Sequence, residues 1–320
     1  MPISGCIDQF IDEVCAGKSN ETPAAYRSKL TRLNQWMGER CLCIERLTPQ
    51  EVEQFRRSLL GRRTKLIGAK IVHASLSPFT IRSCLMTVRH FLKWAAAHEL
   101  TCSDLSTDLI VPKTPTPEPK AIEARAVLDL LDAASQTGAL WEQARNLALI
   151  YVLRDTGARI GSVIGADIDD LDLKHRKLLV RTKGNKPHNL YLNLPTIAAL
   201  RDWIHYRADL KPKDKKLFIS CRGRGLRRSS IYSLIERIKH NADRTIQGRS
   251  NPHAYRHAWA RDALTAGEDI SKVARTLGNS VRVTAEYYAL WSDAEIQEAH
   301  RKYSPGVDLP IVKPKDEHMY

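Results

Sequence analysis

Apolar positions recur at i, i+3, i+4 and i+7 in four stretches of the first hundred residues, the signature of helices with one buried face. They are "CIDQFIDEV", "AAYRSKLTRLNQWM", "TPQEVEQFRRSLL" and "SPFTIRSCLMTVRHFLKWAAA". Thr48-Pro49 and Ser77-Pro78 supply an N-cap followed by proline at two of the starts. The segment "VPKTPTPEPKAIEA" (111–124) breaks the pattern, with four prolines and few apolar residues, and reads as a linker. Helical spacing resumes in "AVLDLLDAA" and "EQARNLALIYVLRDTG" and then changes period. "KLLVRTK" and "HNLYLNLP" flank the turn-forming "GNKP", which predicts a β-hairpin, and "KLFIS" is a candidate third strand. From Ser229 the pattern is helical again to about Tyr303, followed by a polar tail.

The expected fold is mainly α with a small antiparallel β-sheet. An all-helical domain over 1–110 is followed by the linker 111–124, an α+β domain over 125–303 and a tail over 304–320. No apolar run approaches the roughly 18 residues of a membrane span, and no charged-then-apolar leader opens the chain, so neither membrane insertion nor secretion is expected. The seven cysteines are scattered; Cys41-x-Cys43 lacks the partners that zinc would need, so free thiols in a reducing compartment are expected.

Charge narrows the class of partner. The 50 Lys and Arg against 36 Asp and Glu leave +14, and their placement is uneven. Gly61–His98, Leu173–Arg201 and the stretch 211–228 are three basic runs holding a single carboxylate, Asp214, between them. Acids kept away from three separated basic runs point to a phosphate backbone, hence duplex DNA.

Candidate chemistry lies along the second half. "NPHAYRHAWARDALTAG" starts a helix at Asn251-Pro252, placing His253 and Arg256 on one face near an N-terminus that favours anions. Arg159 follows a glycine turn in "RDTGARIGSVIG", Lys183 sits at the predicted hairpin tip, and "TLGNSVRVTAEYYAL" carries Asn279 and the pair Tyr287-Tyr288. Adjacent helical residues project about 100° apart, so the two tyrosines cannot share one role. The apolar spacing Val283, Tyr287, Leu290 assigns Tyr287 to packing and leaves Tyr288, on the side of Thr284, facing a cleft.

The ordered set Arg159, Lys183, His253-x-x-Arg256 and Tyr288, together with "TGARI", "TKGNK", "HAYRHAWA" and "LGNS…YY", resembles the tyrosine recombinase (phage integrase-like) family, and its spacing is similar to that of the compact Xer-like members. The resemblance spans nearly the whole chain. It implies a helical core-binding domain ahead of a catalytic domain, and a site-specific DNA strand transferase acting in a homo-tetramer on DNA from a free monomer or weak dimer. It implies Tyr288 as nucleophile forming a 3′-phosphotyrosyl link, Arg159 and Arg256 on the non-bridging oxygens, Lys183 as acid for the 5′-oxygen and His253 as the tyrosine's partner or base. No metal or other cofactor is implied. The site of action is the cytoplasm, on the nucleoid, with an accessory protein as a candidate partner.

Two positions depart from the family pattern. Asn279 stands where histidine or tryptophan is usual, and Ser162 where a carboxylate is common. Asn279 is either a helix cap or an amide donor to phosphate, and Arg159 is expected to be less firmly oriented without the carboxylate. These departures keep two alternatives open: a catalytically impaired DNA-binding protein of this fold, and an enzyme of the type IB topoisomerase or telomere-resolvase kind.

Overall fold

The computed structural model describes residues 3–16, 21–61, 63–67, 70–114, 120–182, 184–242, 250–288 and 293–304. The chain divides into two compact units, Met1–Pro115 and Thr116–Tyr320, each with its own core.

The first unit contains α1 (Ile3–Val14), α2 (Glu21–Gly38), α3 (Pro49–Leu60), β1 (Arg63–Ile67), β2 (Lys70–Ala74) and α4 (Pro78–Ala97). The cap signals act as the residue types dictate. The Thr48 hydroxyl accepts from Glu51 N while the Glu51 carboxylate accepts from Thr48 N at 2.7 Å, a capping box. The Ser77 hydroxyl accepts from Thr80 N. The core is aromatic: Phe10 meets the Phe91 ring edge-on at 5.5 Å, and the Trp94 indole donates its one N–H to Glu13.

Helices dominate this unit, but the expectation of an all-helical segment needs correction. An antiparallel hairpin with register Arg63↔Ala74 to Ile67↔Lys70 joins α3 to α4. Its "KLI" and "KIVHA" are rich in β-branched and apolar residues around Gly68, a hairpin composition.

The second unit runs α5 (Ala124–Gln136), α6 (Leu140–Thr156), α7 (Ile160–Gly165), β3 (Leu171–Asp172), β4 (Lys177–Arg181), β5 (Pro187–Tyr191), α8 (Leu194–Asp209), α9 (Arg228–His240), α10 (Pro252–Thr265), α11 (Ile270–Leu277), α12 (Val281–Tyr288) and α13 (Asp293–Tyr303). The central helix α6 packs against α5, α8 and α10. Leu149, Leu153, Leu200, Trp203 and Phe218 are fully buried in this core.

The predicted hairpin is β4–β5, paired antiparallel from Lys177↔Tyr191 to Arg181↔Pro187. Its third strand is the short β3, not "KLFIS". Leu217, Phe218 and Ile219 are buried as a strand would be, yet this segment makes only isolated bridges, Asp167↔Lys216 and Ile219↔Gly225. Scattered backbone bonds, such as Leu217 N to Ala166 O and Leu226 N to Phe218 O, and side chains hold it together. The Trp203 indole donates to Leu217 O, and the Asp214 carboxylate accepts from Lys216 N and Gly225 N. An apolar run alone does not distinguish a paired strand from an extended segment satisfied in this way.

Candidate functional site

The site is built on two helix ends. Gly157 closes α6 in the left-handed region (φ 59°), its N–H bonding Leu153 O at 3.0 Å. A Cβ there would lie 3.0 Å from both Leu277 Cδ2 and Trp259 Cβ, so this turn tolerates only glycine against α10 and α11. Gly278 closes α11 with the same handedness (φ 62°). Asn279 N bonds Ala274 O and Gly278 N bonds Arg275 O, the paired bonds of a Schellman motif.

Both ends leave backbone carbonyls without helical partners, and two arginines take them. Arg256, buried in the first turn of α10, donates from Nη1 to Gly157 O (3.0 Å) and from Nη2 to Leu277 O (2.8 Å). Arg159, half-buried just ahead of α7, donates from Nη1 to Gly278 O at 3.4 Å. The Asn279 amide oxygen joins them, accepting from Arg159 Nη2 at 2.7 Å and from Arg256 Nη2 at 2.9 Å. Two guanidinium groups thus share one oxygen, with the negative ends of two helix dipoles behind them. Burial, and then the Arg159 charge, draw Arg256 down to about 10, which leaves it cationic at neutral pH.

Tyr288 is the next member. Its hydroxyl lies within the electrostatic reach of the Arg256 and Arg159 guanidinium groups. Burial raises its pKa above the ordinary tyrosine value, against the opposing pull of Arg256 and Arg159, so the phenol is protonated at neutral pH. The expectation that Tyr288 faces an open cleft is corrected: it is 5% exposed, in a cluster with Ala260, Val273 and Leu277. The buried face of α12 is Thr284 and Tyr288, one turn apart. Val283, assigned to the packing stripe, is exposed, and Tyr287 is half-buried against the same cluster. Leu290 lies outside the described residues. A threonine bonded to Ser280 O and a buried tyrosine make this the inner face, which hydrophobicity alone ranks second.

His253 lies on the first turn of α10, solvent-accessible at its surface, and partial desolvation of its ring by the surrounding chain, then the charges of Arg228, Arg256 and Arg159, hold it below the ordinary histidine range. Lys183 lies outside the described residues. The hairpin on either side of it is closed by Thr182 N to Lys186 O (2.9 Å) and Asn185 N to Thr182 O (3.0 Å). Ser162 does not touch Arg159 through its side chain. Its hydroxyl donates to Arg181 O at 2.8 Å, tying α7 to β4. The expectation of a loosely oriented Arg159 is therefore overturned, since Asn279 and the Gly278 carbonyl hold it.

Two neighbours carried no recognisable signal in the sequence. His257 sets its ring 5.4 Å from that of Tyr288, and its buried Nδ1 has no hydrogen-bond partner among the described residues. His188 bonds Thr276 O at 2.8 Å, linking β5 to α11. Burial, together with His253 and Arg256, also lowers the pKa of His257. Below about pH 6.5 the unfolded chain therefore takes up protons that His253 and His257 resist in the fold, and stability falls as the pH drops. Carboxylates such as Glu53, held down to about 2 by Arg56 and Arg57, act only at much lower pH. The denaturation midpoint should decline between about pH 7 and 5, and less steeply in His257→Phe; a flat profile would contradict this account.

Among the described residues no group of three His, Cys, Asp or Glu could hold a metal, and no helix is long and apolar enough to cross a membrane.

Comparison with known proteins places this arrangement. The model of the family described as "Phage integrase family" matches residues 120–294. Tyrosine recombinase XerC of Alcanivorax borkumensis is 30% identical over 263 residues, covering 76% of this chain and 84% of the relative. The XerH site-specific recombinase bound to palindromic difH substrate, a post-cleavage complex, superposes with a TM-score of 0.68 at 19% identity, over 91% of this chain and 83% of that one. A lambda integrase tetramer bound to a Holliday junction gives a TM-score of 0.63 at 13% identity, over 89% and 77%.

Proposed function

The chain belongs to the phage integrase family and is a tyrosine recombinase, a DNA strand transferase, and from that premise we propose that it cuts and rejoins duplex DNA at specific sites through a 3′-phosphotyrosyl intermediate on Tyr288. One observation carries the reading: the Arg159 and Arg256 guanidinium groups converge on the Asn279 amide oxygen, and the buried Tyr288 hydroxyl lies close enough to both cations for their charges to oppose the rise of its pKa. Nucleophile and cationic phosphate clamp are thus electrostatic neighbours.

The chemistry follows from the residue types. A scissile phosphate on this clamp places its non-bridging oxygens against two guanidinium groups, where negative charge grows in the transition state. The Tyr288 oxygen attacks phosphorus and gives up its proton. His253, kept neutral by its surroundings, accepts it. The 5′-oxygen departs and takes a proton from Lys183. One phosphate ester replaces another, so the step is reversible, and attack by a 5′-hydroxyl on the phosphotyrosine reseals the strand and frees the tyrosine. The experiment that tests this reading is a nicked suicide duplex, on which the protein accumulates as a covalent adduct.

Residues 1–110 act as the core-binding domain and 125–303 as the catalytic domain, both on duplex DNA in the cytoplasm. The catalytically impaired alternative rested on Asn279 and Ser162. Both side chains have hydrogen-bonding work within the site, which weakens that alternative.

Strand exchange needs several protomers on DNA, and α13 is the element suited to join them into a tetramer. No residue of α13 is buried, Ile296 and Tyr303 are exposed, and Arg261 pairs with Glu295 at its first turn. Deleting residues 293–320 should abolish recombination between two sites while duplex binding persists. Recombination at the parental rate after that deletion would exclude α13 as the connector.

A further inference from the structure

We infer that the Asn279 amide oxygen is an internal stand-in for a phosphoryl oxygen: in the free protein it fills the anion position between Arg159 and Arg256, and an incoming phosphate displaces it. This rests on the reading of the arginine pair as the phosphate clamp, and it assigns Asn279 a positioning role distinct from that of a phosphate donor.

The identity of the contacting atom follows from chemistry. Both partners are guanidinium groups, which only donate, so the Asn279 atom facing them must be the carbonyl oxygen and not the NH₂. Its distances of 2.7 and 2.9 Å are those of charge-assisted bonds. The side chain is also free for this use, because the end of α11 is closed by the backbone of Gly278 and Asn279.

The arrangement leaves little room for an additional anion. Both hydrogens of Arg256 Nη2 are taken, by Leu277 O and by Asn279 Oδ1. Nη1 bonds Gly157 O. The two backbone carbonyls are fixed by helix ends and cannot withdraw without unwinding them. Asn279 can withdraw by rotation about its side-chain bonds. A phosphate reaching both arginines therefore meets the amide oxygen as the acceptor that yields.

An uncharged amide suits this task. It is a strong enough acceptor to hold two like charges together when no DNA is bound. It carries no net charge, so a phosphate anion outcompetes it. A carboxylate of the same shape would not yield in this way, since it would form a doubly charge-paired lock.

The test uses full-length protein free of DNA, titrated with inorganic sulfate. The Nε–H resonances of Arg159 and Arg256 are followed by NMR, which reports this position separately from other basic surfaces. Asn279→Ala should lower the sulfate midpoint about ten-fold, because the internal competitor is gone. Asn279→Asp should abolish the response at sulfate concentrations that saturate the parent. An Ala midpoint that is unchanged or higher overturns the inference, the higher value meaning that Asn279 donates to the anion. An unaltered response in Asn279→Asp overturns it as well, and this arm stands if the Ala variant fails to fold. The nicked-duplex assay on the parent keeps the premise separate. An adduct in the parent without the Ala shift refutes the stand-in alone, whereas the Ala shift without any adduct refutes the catalytic reading.

Discussion

Tyr288→Phe should form no covalent adduct on a nicked suicide duplex, while Tyr287→Phe should form it at close to the parental rate. The substitution at 288 removes one oxygen and keeps the ring, so the contacts with His257 and the packing above Thr284 persist. Loss of this buried hydroxyl should cost no more than about 1 kcal/mol, and the variant should fold and bind duplex DNA. What disappears is the nucleophile, and with it the phosphoester bond to the protein. Tyr287, only half-buried, loses a hydroxyl for which the ring packing has no use. The exchanged result, an adduct in Tyr288→Phe and none in Tyr287→Phe, would place the nucleophile one residue earlier. An adduct in both variants would move it elsewhere and remove the proposed mechanism.

How much of this could be read from the chain alone depended on whether a feature is local. The helix starts at Thr48, Ser77 and Asn251 were legible because a cap involves only residues three apart. The β4–β5 hairpin was legible because its turn composition and alternation lie within twenty residues. The order of Arg159, His253, Arg256 and Tyr288 was legible as a motif, and the fold joins Arg159 and Arg256 through Asn279 with Tyr288 buried within reach of their charges. Features set by distant partners were not legible. The third strand is β3 because Leu171 meets Leu178, whereas the more apolar "KLFIS" finds side-chain partners in Trp203 and Asp214. The burial of Tyr288 over Val283 depends on Arg256, thirty-two residues earlier, presenting a polar group deep inside the unit. The role of Asn279 required both guanidinium groups to be placed first. No property of an asparagine after glycine distinguishes a cap from a bridge between two arginines.

Arg256→Lys should be damaging in two separable ways, although it keeps the charge. Arginine at this position uses its planar fork to reach Gly157 O, Leu277 O and Asn279 Oδ1 at once. An ammonium has three donors radiating from one atom and cannot span carbonyls from two different helices. At least one helix-end carbonyl would be left buried without a partner, at a cost of about 1–3 kcal/mol. Burial already draws the guanidinium down to about 10, and the same surroundings would press a lysine, which starts about two units lower, toward its neutral form. The variant should therefore melt below the parent and form the adduct about 10² to 10³ times more slowly, as expected for loss of a preorganised donor pair. Arg159→Lys provides the contrast. Arg159 is half-buried and its firmest bond is to the Asn279 side chain, so the rate should fall by a similar factor while the melting point stays close to the parental value. Melting curves and single-turnover adduct formation on the two variants separate the contributions. Parental stability and a rate within about ten-fold of the parent in Arg256→Lys would mean that charge alone suffices and that the shared carbonyl geometry is incidental.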